Sequence, residues 1–226
     1  VRHVVLVARP TPSGVDERSL AALAAAVTEA LGAPARIAHL DQADPSVAAV
    51  LDEIAGLAGP QDDVVLVPLA LPADPYLRNW IARAAAHWRE SRASELLVRL
   101  GPPPVTAPGM AEVIAELARG EATPVAVSPA AFRSPAWSVR EDPARHLLVC
   151  RGPRCTVYGA GATHRALAAA ARGQDVLVTP VGCLGPCNLG PLVIDNPAGE
   201  WHESVDADRA GALLEGAPPA VGRRRA

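Results

Sequence analysis

The 226-residue chain reads as an α/β protein in two units, and three observations predict it. Short β-branched runs alternate with longer amphipathic stretches through the first 120 residues. Residues 121–145 then carry four prolines and no sustained period. The alternation resumes at residue 146, now with every cysteine of the chain placed just after a strand. These boundaries divide the chain into an α/β domain (1–120), a Pro-rich linker (121–145), a second domain (146–216) and a disordered tail (217–226).

Each element follows from its own signals. "HVVLVA" (3–8) has the continuous apolar character of a buried strand, and residues 16–33 follow as a helix ending at Gly32. "RIAHL" (36–40) is the second strand; Asp44 stands as N-cap and Pro45 at the first helical position of the next helix. The run 63–71 is the most hydrophobic strand, followed by a helix over 74–90. "ELLVRL" (95–100) and a helix over 109–120 complete four strand and helix pairs, a pattern that predicts a four-stranded parallel sheet covered by helices on both faces. In the linker, Phe132 and Trp137 are expected to staple the segment onto a domain. The second unit opens with the strand "HLLVC" (146–150) and a helix over 163–173 with Thr163 as N-cap. A strand over 175–181, a hairpin of "PLVIDN" and "EWHESV" around "PAG", and a helix capped by Asp206 follow.

Composition removes several functions. Half the residues are hydrophobic but only seven are aromatic, so the core must be built from Ala, Val and Leu, which suits helices packed closely on a parallel sheet. A formal charge of −3 and a pI near 6.1 argue against a nucleic-acid surface. All 21 basic residues are arginine. The apolar run before Arg9 is too short for a signal peptide's core, and no segment approaches the ~20 apolar residues that span a bilayer. The expectation is a cytoplasmic protein without a membrane partner. In a reducing compartment, clustered cysteines point to metal or redox chemistry before structural disulfides.

The cysteines are Cys150, Cys155, Cys183 and Cys187: a C-x4-C pair, 27 intervening residues, and a C-x3-C pair. If the strands before the two pairs are neighbours, both loops leave one sheet edge and four thiols meet. Thiolates hold iron-sulfur clusters, and glycines such as Gly152, Gly182, Gly185 and Gly190 let the backbone approach closely. Zinc would satisfy the same ligand count, although its loops commonly show two-residue spacing. Disulfide pairs and buried thiols are the structural alternatives, and spacing alone leaves all of these open.

Several residues carry a closer resemblance. Cys150-x4-Cys155 after a strand, Gly159 beyond it, "CLGPC" (183–187) and "GPLVIDNPAGEWHESV" (190–205) resemble the thioredoxin-like [2Fe-2S] ferredoxins. That resemblance implies a β-α-β-β-β-α fold, a single [2Fe-2S] cluster on all four cysteines, one-electron transfer to a redox partner protein, and surfaces through which a homodimer could form. Arg151 and Arg154, between the ligands, would either favour the reduced state or extend into solvent.

The first unit resembles the sirohydrochlorin and cobalt chelatases through "VVLVARPTPSG" (4–14), "VVLVPLALPADPYLRNWI" (64–81) and "LVRLGPPP" (97–104). It departs from them where they carry histidines, offering Arg9 and Tyr76 instead. An arginine stays protonated and a phenol has a pKa of about 10, so neither replaces a neutral imidazole on a divalent metal. His3, His39 and His87 read as packed or surface histidines. No catalytic residue is assigned. The sequence therefore predicts a ferredoxin-type one-electron carrier with a chelatase-like domain lacking metal insertion; a tetrapyrrole could still bind through Arg9 or Arg78. The alternative is a chelatase of cobalamin or siroheme synthesis with an accessory iron-sulfur domain.

Overall fold

A computed structural model describes residues 1–226 apart from 12–13, 60, 122, 126–129, 131–139, 216–223 and 226. The first sheet comprises β1 (Arg2–Ala8), β2 (Ala35–His39), β3 (Asp63–Pro68) and β4 (Leu97–Leu100) in the order β2-β1-β3-β4, all parallel. Its connections are α1 (Glu17–Leu31), α2 (Val47–Ala55) and α3 (Pro75–Arg92); α4 (Met110–Arg119) follows β4. Successive side chains of a strand point to opposite faces. Val5 and Val7 of β1 accordingly join Leu51, Ile54, Leu77 and Trp88 from α2 and α3, while Val4 and Leu6 meet Ala24 of α1 on the other side. Both faces of β1 are covered, which is why its sequence is a continuous apolar run rather than an alternation. The last helix differs: α4 buries none of its residues, and Val113, Ile114 and Leu117 remain exposed.

Local chemistry sets the helix ends. Asp16 accepts from the N–H groups of Arg18 and Ser19, and Asp74 from those of Tyr76 and Leu77, satisfying donors that the first turn leaves unpaired. Asp44 is a correction: Ser46, not Asp44, caps α2 and accepts from Ala49 N–H. Pro45 belongs to the preceding turn, its carbonyl accepting from His39 N–H at 2.8 Å, so the helix starts two residues later than the Asp-Pro signal suggests.

The second sheet has the order β7-β6-β8-β9, from β6 (Arg145–Cys150), β7 (Val176–Val181), β8 (Val193–Asn196) and β9 (Glu200–His202). Strands β6 and β7 pair in parallel, and β6 with β8 and β8 with β9 are antiparallel. Between β6 and β7 lie α5 (Pro153–Val157) and α6 (Ala160–Ala170); α7 (Ala207–Ala212), capped by Asp206, follows β9. Thr163 is likewise corrected. It sits inside α6, whose N-cap is Gly159 at φ 93°, and its hydroxyl donates to Val205 O at 2.7 Å, tying α6 to the segment before α7.

The staple expected at Phe132 and Trp137 lies outside the described residues. Within the linker and tail, β5 (Arg140–Glu141) pairs antiparallel with β10 (Arg224–Arg225). The two α/β units meet along a polar seam: Gln42 N–H donates to Arg151 O at 3.2 Å, and Asp44 pairs with Arg165. Asp44 also lies against Gly161 in the first turn of α6, where the positive end of the helix dipole favours a carboxylate. Among the described residues, no helix is long and apolar enough to cross a membrane.

Candidate metal centre

Because β6 and β7 are parallel neighbours, the loops that leave their carboxyl ends emerge side by side. Cys150 is the last residue of β6, Cys155 lies in α5, and Cys183 and Cys187 follow β7. All four are free thiols. They form two pairs: Cys155 hydrogen-bonds to Cys150, and Cys183 Sγ lies 3.5 Å from Cys187 Sγ. Cys150 and Cys155 are buried with Ala160 and Leu192, with Leu184 packed against them, whereas Cys183 is exposed.

Two glycines set how closely the loops approach. A Cβ on Gly190 would sit 2.6 Å from Cys155 Sγ, and one on Gly152 would sit 2.9 Å from both Cα and Cβ of Cys183. Neither glycine has a positive φ, at −71° and −62°, so close approach rather than backbone freedom calls for glycine there. Gly182, beside Cys183, has open space instead.

The electrostatics distinguish the thiols. The hydrogen bond from Cys155, aided by the N–H groups of Leu184 and Gly152, lowers Cys150 to about 6 despite burial. Cys155, the donor of that pair, is pushed strongly up by the same bond and by burial, although Leu192 N–H opposes the shift. Cys187 is raised by burial and by Cys183. Backbone N–H groups therefore already point at two of the sulfurs. Among the described residues, no three His, Cys, Asp or Glu side chains are grouped closely enough for one ion.

The arginines between the cysteines have separate surroundings. Arg151 is buried rather than solvated, and its guanidinium lies in the field of Asp44 and Asp41 from the first unit. Burial raises Asp41 and lowers Arg151, as expected of opposite charges withdrawn together from water. Arg154 donates to Asn188, and its charge acts on Cys187.

Arg9 and Tyr76 come together: the guanidinium lies 4.6 Å from the Tyr76 ring centre, at the carboxyl rim of the first sheet. Arg9 also faces Asp41 at 3.4 Å and Asp74 at 3.9 Å. Burial first, then the charges of Cys183 and Asp41, raises the Tyr76 phenol, which keeps it protonated. An ion-paired guanidinium and a protonated phenol have no lone pair of imidazole type to give a divalent metal. Arg78 is turned to Gly101 O at 3.0 Å. His3 lies 3.3 Å from Asp62, His39 is fully buried, and His87 stacks edge-on with Tyr158.

Trp80 and Arg83 join Tyr76 and His87 in a stripe whose local spacing does not by itself mark it as part of this neighbourhood. Tyr76, Trp80, Arg83 and His87 fall at helical spacing on α3, and this stripe reaches the cysteine loops through Arg154, 5.7 Å from the Trp80 ring, and Tyr158. In the sequence, two of the seven aromatics stand four residues apart beside arginine.

No protein-family model matches the chain. A 2Fe-2S ferredoxin from Clostridium pasteurianum is 38% identical over 42 residues, which is 19% of this chain and 41% of that protein. The chain thus spans about two fifths of the length of the curated relative it matches. Among solved structures, the wild-type thioredoxin-like [2Fe-2S] ferredoxin from Aquifex aeolicus shares 23% identity at a TM-score of 0.30, over 35% of this chain and 93% of that one. A candidate cobalamin (vitamin B12) biosynthesis CbiX protein from Marinobacter aquaeolei shares 22% at a TM-score of 0.44, over 53% of this chain and 93% of that one.

Proposed function

We propose that the chain is a one-electron carrier whose second unit holds a [2Fe-2S] cluster on Cys150, Cys155, Cys183 and Cys187. The observation that carries this reading is the pairing of the thiols on two loops pressed together at Gly152 and Gly190, where a methyl group would not fit. Two iron atoms each need two thiolates, and the site offers two pairs; a tetrahedral zinc would need all four sulfurs around one point. When bound, the cluster supplies one-electron acceptance and release. The chain's own residues do the rest: Leu184, Gly152 and Leu192 direct N–H groups at the sulfurs, Arg154 brings positive charge, and Leu192 and Ala160 exclude water from the buried pair. The similarity to a clostridial 2Fe-2S ferredoxin supports the assignment.

In this reading the first unit does not insert metal, because Arg9 and Tyr76 occupy the positions where imidazoles would be needed. It serves instead as a docking body for the cluster domain, in a cytoplasmic protein that delivers electrons to a partner. Anaerobic purification tests the proposal. The expected sample is coloured, has two irons and two sulfides per chain, and gives a one-electron EPR signal on reduction; a colourless zinc protein overturns it. Cobalt insertion into sirohydrochlorin by the intact chain is expected to be absent, and turnover that disappears on replacing Arg9 would restore the chelatase alternative.

A further inference from the structure

The stretch of chain that carries the cysteine loops has a charge opposite to that of the whole chain. From Pro143 to Ile194 a single carboxylate, Asp175, stands against Arg145, Arg151, Arg154, Arg165 and Arg172, and α3 has no acid between Asp74 and Glu90. Most of these cations are already engaged: Arg145 with Asp195, Arg165 with Asp44, and Arg151 buried toward the first unit. Arg154 has only a neutral partner, the Asn188 side-chain oxygen, and Arg83 of α3 stands beside it. Among the described residues neither meets a carboxylate, and both lie over the same indole, at 4.9 and 5.7 Å from the Trp80 ring centre. Stacking on Trp80 holds the guanidinium planes in place, and the N–H groups of Arg83 and those of Arg154 not given to Asn188 face no carboxylate among the described residues.

The two arginines flank a cavity at the seam of α3 and α5, lined also by His87, Val157 and Tyr158 and by no acid. Its volume is about 140 Å³. Small-molecule and cofactor pockets occupy about 300–1,000 Å³, so this one takes a side chain rather than a cofactor. It also lies beside the thiols, since Arg154 precedes Cys155 and acts on Cys187.

We infer that this seam is where an acidic partner protein docks to exchange an electron, with a partner carboxylate entering between Arg83 and Arg154. The inference rests on the electron-carrier reading and adds the location and charge of the partner. One electron leaves the partner's reduced flavin or metal centre and arrives at the iron pair, with no bond made or broken. Basic charge beside the exit site steers an acidic partner and sets the encounter rate more than the final affinity.

The test uses the intact, cluster-loaded chain and two probes. Binding of labelled poly-L-glutamate is read by fluorescence anisotropy, and reduction of the cluster by flavodoxin hydroquinone, an acidic one-electron donor protein, is read by stopped flow. At low salt Arg83→Glu is expected to slow reduction and weaken poly-L-glutamate binding about tenfold, with both effects fading at high salt. Arg119→Glu, on α4, changes net charge equally and is expected to alter either reading less than about twofold. Equal effects of the two substitutions, or an effect of Arg83→Glu that ignores salt, overturn the docking site. A chain that purifies without a reducible cluster overturns the electron-carrier reading instead, and the anisotropy arm still judges the docking surface.

Discussion

Replacing Gly190 with alanine tests the proposed centre most directly. The added Cβ would stand 2.6 Å from Cys155 Sγ, while ordinary contact begins near 3.4 Å, so the sulfur or the loop must retreat by about 0.8 Å. Metal–ligand distances tolerate about ±0.2 Å, so a displacement some four times larger breaks the ligand geometry rather than stretching it. Overpacking costs about 1–3 kcal/mol, equivalent to roughly 5–150-fold in occupancy of the native arrangement. Because Gly190 has φ −71°, alanine adds no backbone strain, and the effect is purely one of space. Gly182→Ala is the matched control: it adds the same methyl beside Cys183, where nothing lies within 4 Å. Iron and sulfide per chain and visible absorption read the outcome. Gly190→Ala should lose most of its cluster, and Gly182→Ala should match the parent. Equal iron content in both would show that the two loops do not converge as described.

Three further outcomes follow. Cys183→Ser should remove or severely destabilise the cluster, and an unchanged four-thiolate EPR and absorption spectrum would show that Cys183 is not a ligand. Asp44→Arg should set like charges against Arg151 and Arg165, loosening the seam between the units; small-angle scattering is expected to show a larger radius of gyration, and an unchanged value refutes the ionic account of the seam. In the first unit, hydrogen bonds from Arg92 foremost and from Trp88 hold the Asp52 carboxyl below its ordinary value. A depressed folded pKa contributes stability above the unfolded value of about 3.9 that is lost as pH falls through the folded one. Asp52→Asn should therefore flatten the melting temperature's dependence on pH below about 4, and an acid limb as steep as the parent's refutes this assignment.

Much of this molecule was legible in its residues. Continuous apolar runs marked β1 and β3 because both faces of a parallel sheet are buried, and Asp16, Asp74 and Asp206 marked helix starts because their carboxylates reach back to unpaired N–H groups. Cysteines placed just after two strands would have adjoining loops only if those strands were neighbours, and β6 and β7 are parallel neighbours. Local signals misled where a side chain had a distant partner: Asp44 went to Arg165 instead of a cap, and Thr163 to Val205.

Sequence by itself determined which side chains have the chemistry to hold a metal, since that depends on residue type: four thiols in glycine-rich loops do, and the guanidinium of Arg9 does not. Only the tertiary structure decided which glycines stand against a cysteine, that Arg151 turns inward to the first unit, and that Arg83 and Arg154 share one indole. Those facts depend on separations between segments far apart in the chain, down to the 2.6 Å that would part a Gly190 methyl from Cys155. No local propensity encodes such a separation; it exists only after two sheets have packed and their loops have met.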